Sequence, residues 1–400
     1  MIANIAGGAL MWLVHFLSKK LPNTEYGLFS TYLSVAMCIP TMPLQMALAH
    51  QTALALARGR LGELAGIIRV IWLATSVIWL IGAVAVFLVQ KWIIQDWHIT
   101  NPAGLWVTMG VVLLSFWLPM FWGVLQGQQN FLWLGWSMIL NGVGRLGIAA
   151  ICVLALHFYA AGMMTGVLLG LVLAATLAAW HSRRLWQASS APFDYRALLK
   201  EIIPPMFGLA AFQFLFTGDM MFVRSYFNED TTAFYGGAGT LSRALMWLVG
   251  PLAAVMFPRL VHSAAKSEKS DLMKMVLIGT GVLAVLGAVA LSIIGPYIIP
   301  FVYKREFVQV TSSLLPWYAG AMVPLALGNV LLNNLLARSQ FKVVVPLVIL
   351  AMGYGFALTR FHDTLITVLK TMGAFNLMML VICGWFTIST PEPRKSLSPA

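Results

Sequence analysis

Twelve long apolar runs separated by short polar connections leave this chain little choice but a lipid bilayer. They fall at about residues 2–18, 26–48, 67–90, 104–126, 131–156, 159–180, 202–225, 232–257, 273–295, 310–336, 341–359 and 365–388. At about 1.5 Å per residue, each is long enough as a helix to cross most or all of a hydrocarbon core about 30 Å thick. The pairs within 104–156 and 310–359 have the shortest connections. The chain is 60% hydrophobic and only 10% charged, whereas a soluble domain carries about a quarter charged residues. The expected fold class is an all-α membrane protein of about 12 transmembrane helices.

A net charge of +12 invites a nucleic-acid reading, but the basic residues sit in short connections between runs. A duplex-binding protein gathers them on one soluble face, so no nucleic-acid partner is expected. Their asymmetry instead gives an orientation. The connections after the second, sixth, eighth and tenth spans, with the C-terminus, hold Arg58, Arg60, Arg69, Arg183, Arg184, Arg259, Lys266, Lys269, Arg338, Arg394 and Lys395 among others. The opposite side holds about half as many, among them Lys19, Lys20, Lys91, Lys304, Arg305 and Arg360. The richer side is expected to face the cytoplasm, with both termini there and an even number of spans. The first twenty residues have their lysines after the apolar run rather than before it, so they read as a first span and not as a signal peptide.

The stretch HSRRLWQASSAPFDYRALLKE near mid-chain mixes serine, proline and charge. It divides the chain into two six-helix halves, residues 1–185 and 186–400. A weak internal repeat supports the division. The second span opens on Glu25-Tyr26-Gly27 and runs to Pro40 and Pro43; the eighth opens on Phe234-Tyr235-Gly236 and runs to Pro251. Halves with even span numbers enter the membrane in the same orientation, related by an axis along its normal. Connections are expected at 50–66, 181–201 and 259–272. Within the first, LARGRLGELAGIIR is expected to form a basic amphipathic helix on the inner surface. Trp92, Trp97, Tyr297 and Tyr303 sit near span ends, as an aromatic belt requires. Pro119 and Pro324 inside spans permit kinks.

Enzyme chemistry finds little support. Polar groups in the outer connections, Asp96 and His98, Glu229 and Asp230, Glu306, and His362 and Asp363, form no metal or nucleophile motif. No glycine-rich phosphate loop is present. Cys38, Cys152 and Cys383 lie in apolar runs without the spacing of a metal site or disulfide framework. No catalytic residue, metal or cofactor is expected.

The residues that carry information are polar groups inside spans, where charge is costly and tends to face a cavity or a partner. Arg145 lies mid-span with Asn141 one turn earlier on the same face; the pair reads either as a cavity cation with an amide neighbour or as an arginine bonded within the bundle. Arg243, beside Ser242, belongs to the other half. The two arginines facing one cavity would hold an anion such as pyrophosphate; alternatively Arg243 pairs with Asp219 and only joins two helices. Asp219, in FLFTGDMMFVR, is a candidate to bind a coupling H+ or Na+. On a helical wheel it points away from Arg224. Asn329 and Asn333, one turn apart with Asn334 and Arg338 following, either line a polar path or bond between helices.

Several of these segments also carry a family likeness. LPNTEYGLFSTYLSV after a first span resembles the Leu-Pro-x-x-x-Tyr-Gly signature of the polysaccharide-transport proteins. These are the Wzx-type oligosaccharide flippases of the multidrug/oligosaccharidyl-lipid/polysaccharide (MOP) superfamily. GDMMFVRSYF and TTAFYGGAGTLSRALMWLVGPLAAVMFPRLV resemble that family's seventh and eighth helices. The resemblance implies a MATE-like bundle with two lobes around a central cavity that opens alternately to each side. Its implied substrate is an oligosaccharide on a polyprenyl pyrophosphate, flipped across the bacterial inner membrane while the lipid tail stays in the bilayer. The product would feed O-antigen, capsule or exopolysaccharide synthesis, alongside a polysaccharide polymerase or chain-length partner. Arg145, Asn141, Arg243, Asn329 and Asn333 would line the cavity, and Asp219 would couple the ion. Drug/ion antiporters and lipid II flippases share this architecture. A polymerase, ligase or acyltransferase of surface sugars is the rival from another class.

Overall fold

The computed structural model describes residues 2–265 and 272–389. Lys266, Lys269, Arg394 and Lys395 lie outside them, as do the side chains of Pro251 and Arg259. The first half comprises α1 (Ile2–Leu13), continued by a 3-10 helix over Val14–Lys20, then α2 (Asn23–Met37), α3 (Met42–Arg58), α4 (Leu61–Asp96), α5 (Ala103–Gly127), α6 (Phe131–Leu154) and α7 (Tyr159–Trp186). The second half comprises α8 (Tyr195–Thr217), α9 (Asp219–Tyr226), α10 (Glu229–Ala265), α11 (Leu272–Val302), α12 (Phe307–Ala337), α13 (Val344–Leu358) and α14 (Leu365–Ser389). Ten helical stretches among the described residues, with α2 and α3 taken as one, are long and apolar enough to cross a membrane. The first helix with its 3-10 extension, and α10, answer to the other two apolar runs. Large apolar side chains such as Ile81 and Leu88 on α4, and Ile278 and Ile293 on α11, are well exposed. In water they would be an aggregation surface; against acyl chains they are the lipid contact.

Three expectations about local structure change. The second run is two helices, not one. Pro40 has no N–H to donate and disfavours helix at the residue before it, so α2 ends at Met37; Pro43 then sits in the first turn of α3, where a missing donor costs nothing. The segment expected to form one amphipathic helix across residues 56–69 is broken at Gly59, whose φ of +67° closes α3 in the left-handed region; most of the expected 50–66 connection is therefore helical. The mid-chain linker is shorter than its composition implies, with only residues 187–194 outside helix. Asp194 stops it by accepting the Arg196 and Ala197 N–H groups at 3.0 and 3.1 Å, an N-cap for α8. The Ala191 N–H donates to the Gly62 carbonyl at 2.9 Å, tying the linker to α4.

Small residues decide how closely the helices approach. A Cβ on Gly166 or Gly170 of α7 would fall 2.7 Å from the Arg145 carbonyl oxygen or the Arg145 nitrogen, so α6 and α7 meet backbone to backbone. The two tyrosine-glycine repeats meet in a similar way. Gly27 of α2 lies against Ala233 of α10, and Gly236 of α10 lies against Ser30 of α2. Six tyrosines, Tyr26, Tyr32, Tyr235, Tyr303, Tyr318 and Tyr354, are wholly buried. Tyr303 therefore leaves the expected aromatic belt, as does Trp97, whose Nε1 donates to Ser225 at 3.1 Å. Trp92 and Tyr297 stay exposed.

Candidate functional site

The most concentrated polar chemistry lies at the start of α9. The α8–α9 turn tightens at Gly218, where the Met221 N–H reaches the Gly218 carbonyl at 3.1 Å. Asp219 follows and points into the second lobe, fully buried. Its Oδ1 accepts from Nη2 of Arg243 on α10 at 2.8 Å. Its Oδ2 accepts two hydroxyls, Tyr235 of α10 at 2.7 Å and Tyr318 of α12 at 2.5 Å. The Nε of Arg243 donates to the Phe216 carbonyl at 3.1 Å. Three helices thus meet on one carboxylate. In so little water, charge-assisted bonds of this kind are the strong ones. Of the alternatives open to Arg243, this is the ion pair with Asp219. Arg224, further along α9, turns elsewhere: its Nε and Nη2 donate to the Trp97 carbonyl at 2.8 and 2.5 Å, with Glu229 4.0 Å away.

Arg145 is not part of that cluster. It lies on α6 in the first lobe, its Nε buried without a hydrogen-bond partner among the described residues. Asn141 is buried, and its Nδ2 reaches Met11 Sδ at 3.6 Å rather than Arg145. On α12, Asn333 Nδ2 donates to Asn329 Oδ1 at 2.9 Å and to its carbonyl at 2.8 Å, so the Asn333 amide is held against Asn329 along one helix. They stand about three and four turns from Tyr318. The structure therefore brings together Asp219 and Arg243, and separately Asn329 and Asn333.

Residues that sequence reasoning passed over form the junction between the lobes. Tyr26 of α2 donates to the Tyr303 hydroxyl, just past α11, at 3.0 Å. The same Tyr26 oxygen lies 3.1 Å from Nδ1 of buried His15 and 3.4 Å from Oγ1 of Thr240 on α10. Ser18 donates to the Val302 carbonyl at 2.9 Å, and Lys304 Nζ to Asn23 Oδ1 at 3.4 Å. With the Arg224–Trp97 and Trp97–Ser225 bonds, these polar ties join the lobes at the end remote from the 187–194 linker. Tyr26 and Tyr235 had a signal in the repeated Tyr-Gly pair, and Tyr303 was read as part of an aromatic belt; His15 and Tyr318 stand in no pattern.

Towards the linker end, the lobes touch along α3 and α8. Glu201 accepts from Gln51 Nε2 at 2.8 Å and lies 3.1 Å from His50 Nδ1. Beside this seam an apolar groove of about 1030 Å³ runs between α4 and α8 beneath the linker, walled by Ile71, Ile78, Ile202 and Phe207 with Arg69 at its rim. Arg69 is held by the carbonyls of Trp186 and Ala188 at 3.0 and 2.7 Å. Among the described residues no group of histidine, cysteine and carboxylate side chains is arranged to hold a metal ion.

Residues 7–264 match the family model described as polysaccharide biosynthesis protein. No curated protein sequence matches the chain. Among solved structures, an inward-facing MATE family multidrug resistance transporter of the MOP superfamily is similar with a TM-score of 0.66 at 12% identity, over 96% of this chain and 94% of that one. The lipid II flippase MurJ in an inward closed conformation is similar with a TM-score of 0.68 at 12% identity, over 97% and 86%. A MOP superfamily transporter from Pyrococcus furiosus gives 0.57 at 12% identity, over 97% and 93%. The fold is the two-lobed one of the MOP superfamily. The chain belongs to the polysaccharide biosynthesis protein family.

Proposed function

We propose that this member of the polysaccharide biosynthesis family is a flippase that carries an oligosaccharide linked to polyprenyl pyrophosphate across the bacterial inner membrane. The observation that carries the reading is the two-lobe bundle tied by side-chain hydrogen bonds at the end remote from the linker, with a smaller seam of Gln51 and His50 against Glu201 towards the linker. Bonds of that kind can be exchanged for water, which is what alternating access needs at each gate. The linker end faces the cytoplasm, because the surplus of lysine and arginine lies there; both termini are then cytoplasmic, and the remote end is the outer gate. The lobes divide at about residues 185 and 186.

In this reading Arg145, whose Nε has no partner among the described residues, meets the pyrophosphate, with Asn141, Asn329 and Asn333 turned to the sugar as the lobes part. Arg243 contributes its charge when the Asp219 pair loosens, and Asp219 exchanges Arg243 for H+ or Na+. The apolar groove between α4 and α8 takes part of the lipid tail at the bilayer boundary. No cofactor is needed, and no bond in the substrate is broken. A polysaccharide polymerase and its chain-length partner would consume the product outside.

The protein reconstituted in vesicles with a fluorescent polyprenyl-pyrophosphate oligosaccharide tests this. Transfer of the label to the opposite leaflet, at rates well above empty vesicles, is the expected result. Transfer of lipid II alone, or ion-driven uptake of a cationic dye without lipid transfer, would move the protein to the lipid II flippase or drug antiporter alternative. Elongation of the sugar or its joining to an acceptor would make it an enzyme of polysaccharide assembly.

A further inference from the structure

We propose that His15 is a proton-binding site whose occupancy opens the junction at the end remote from the linker. His15 is a buried titratable group on the first-lobe side of the junction, and its Nδ1 lies 3.1 Å from the Tyr26 hydroxyl that reaches Tyr303 in the second lobe. An intramembrane ionisable side chain on such a hydrogen-bonded chain is placed to sense protonation.

The surroundings decide the direction. Tyr26 faces His15 from α2, and Arg145 on α6 is the charge whose field reaches it. From the α11 end Tyr303 meets Tyr26, not His15 itself. On α10 Thr240 also meets Tyr26, and the field of Arg243 reaches that same tyrosine. α1 offers Trp12, α2 also offers Phe29, and the 3-10 helix itself ends in exposed Lys19 and Lys20. Among the described residues, no carboxylate bonds to His15, and the charges whose fields reach His15 and Tyr26 are the cations Arg145 and Arg243. Imidazolium there is a buried cation beside a cation, which neither tyrosine neutralises. Letting water into the junction relieves it. Neutral His15 keeps the junction dry and the tyrosine chain intact. A proton arriving from the outer side would therefore unlatch the gate that faces it. This rests on the alternating-access reading, but its test involves no substrate and so fails separately from it.

The test is the distance between spin labels at Lys20→Cys and Arg305→Cys, one in each lobe, in vesicle-reconstituted protein with Cys38, Cys152 and Cys383 replaced by serine. As pH falls from about 8 to about 5, the ratio of separated to closed lobes should rise, by up to about tenfold per pH unit, the limit for one proton. His15→Gln, which keeps a hydrogen-bonding group but cannot titrate, should flatten the response to less than about twofold across that range. Tyr303→Phe removes a lobe-bridging bond but leaves His15, so it should keep the response and move its midpoint to higher pH. A full response in His15→Gln, an unmoved midpoint in Tyr303→Phe, or no opening in the parent would overturn the proposal.

Discussion

Arg243 and Asp219 face each other at 2.8 Å with the aspartate fully shut off from solvent, and the pair binds α9 to α10. Its two members are not equivalent to mutate. Asp219→Asn leaves a buried guanidinium uncompensated and should lower stability by about 3–5 kcal/mol, whereas Asp219→Asn with Arg243→Gln should recover much of that loss. Thermal unfolding of the four combinations in detergent gives the coupling energy. Additive losses would mean the pair contributes nothing as a pair.

Tyr235 and Tyr318 share the second oxygen of that carboxylate. Removing one hydroxyl by Tyr318→Phe leaves Asp219 two donors and should cost about 1.5–3 kcal/mol, as for other hydrogen bonds to charged groups. The same assay reads it. A loss no greater than that of Phe substitution at exposed Tyr226 would show the bond to be dispensable.

Arg145 has the opposite character, a buried Nε with no bond to lose. Arg145→Gln should leave unfolding nearly unchanged while lipid-linked oligosaccharide transfer falls at least about tenfold; Arg145→Lys should retain part of it, being a point charge without the planar fork. If transfer survives Arg145→Glu, the pyrophosphate does not pass this arginine.

The tie between Arg224 and the Trp97 carbonyl can be tested without transport. Arg224→Gln should raise amide hydrogen exchange over residues 95–100 by about 10- to 100-fold, the equivalent of one charged hydrogen bond. Unchanged exchange would mean the Trp97–Ser225 bond holds that loop by itself.

Much of the architecture was legible because hydropathy and proline act locally. The twelve apolar runs are helical, and Pro40 marks the place where the second divides. The composition of 181–201 pointed to a connection there, though helix extends into it from both sides, because composition says nothing about a cap such as Asp194. The candidate site was legible only in its charges. Asp219 and Arg243 stood out because charge is rare in spans, but which reading of Arg243 applies depends on how α9 and α10 pack. Tyr318 was hidden for a different reason. A tyrosine in an apolar run looks the same whether its hydroxyl meets lipid headgroups or a buried carboxylate, and only the rotation of its helix separates the two. His15 stood near the end of a first span, where Ser18 and Lys19 one turn later read as the span's polar edge, so nothing local marked it.

The contact of α6 with α7 through Gly166 and Gly170 has a mechanical side. Where two helices meet main chain to main chain, there are no side chains between them to change rotamer and absorb a displacement. A push delivered to α6 would therefore pass to α7 with little loss, and the two helices would move as one lever. Compliance is left to the places without such a seam, above all the four residues between α2 and α3, where a small change of backbone angle near Pro40 would swing the far end of the lever through a much larger arc.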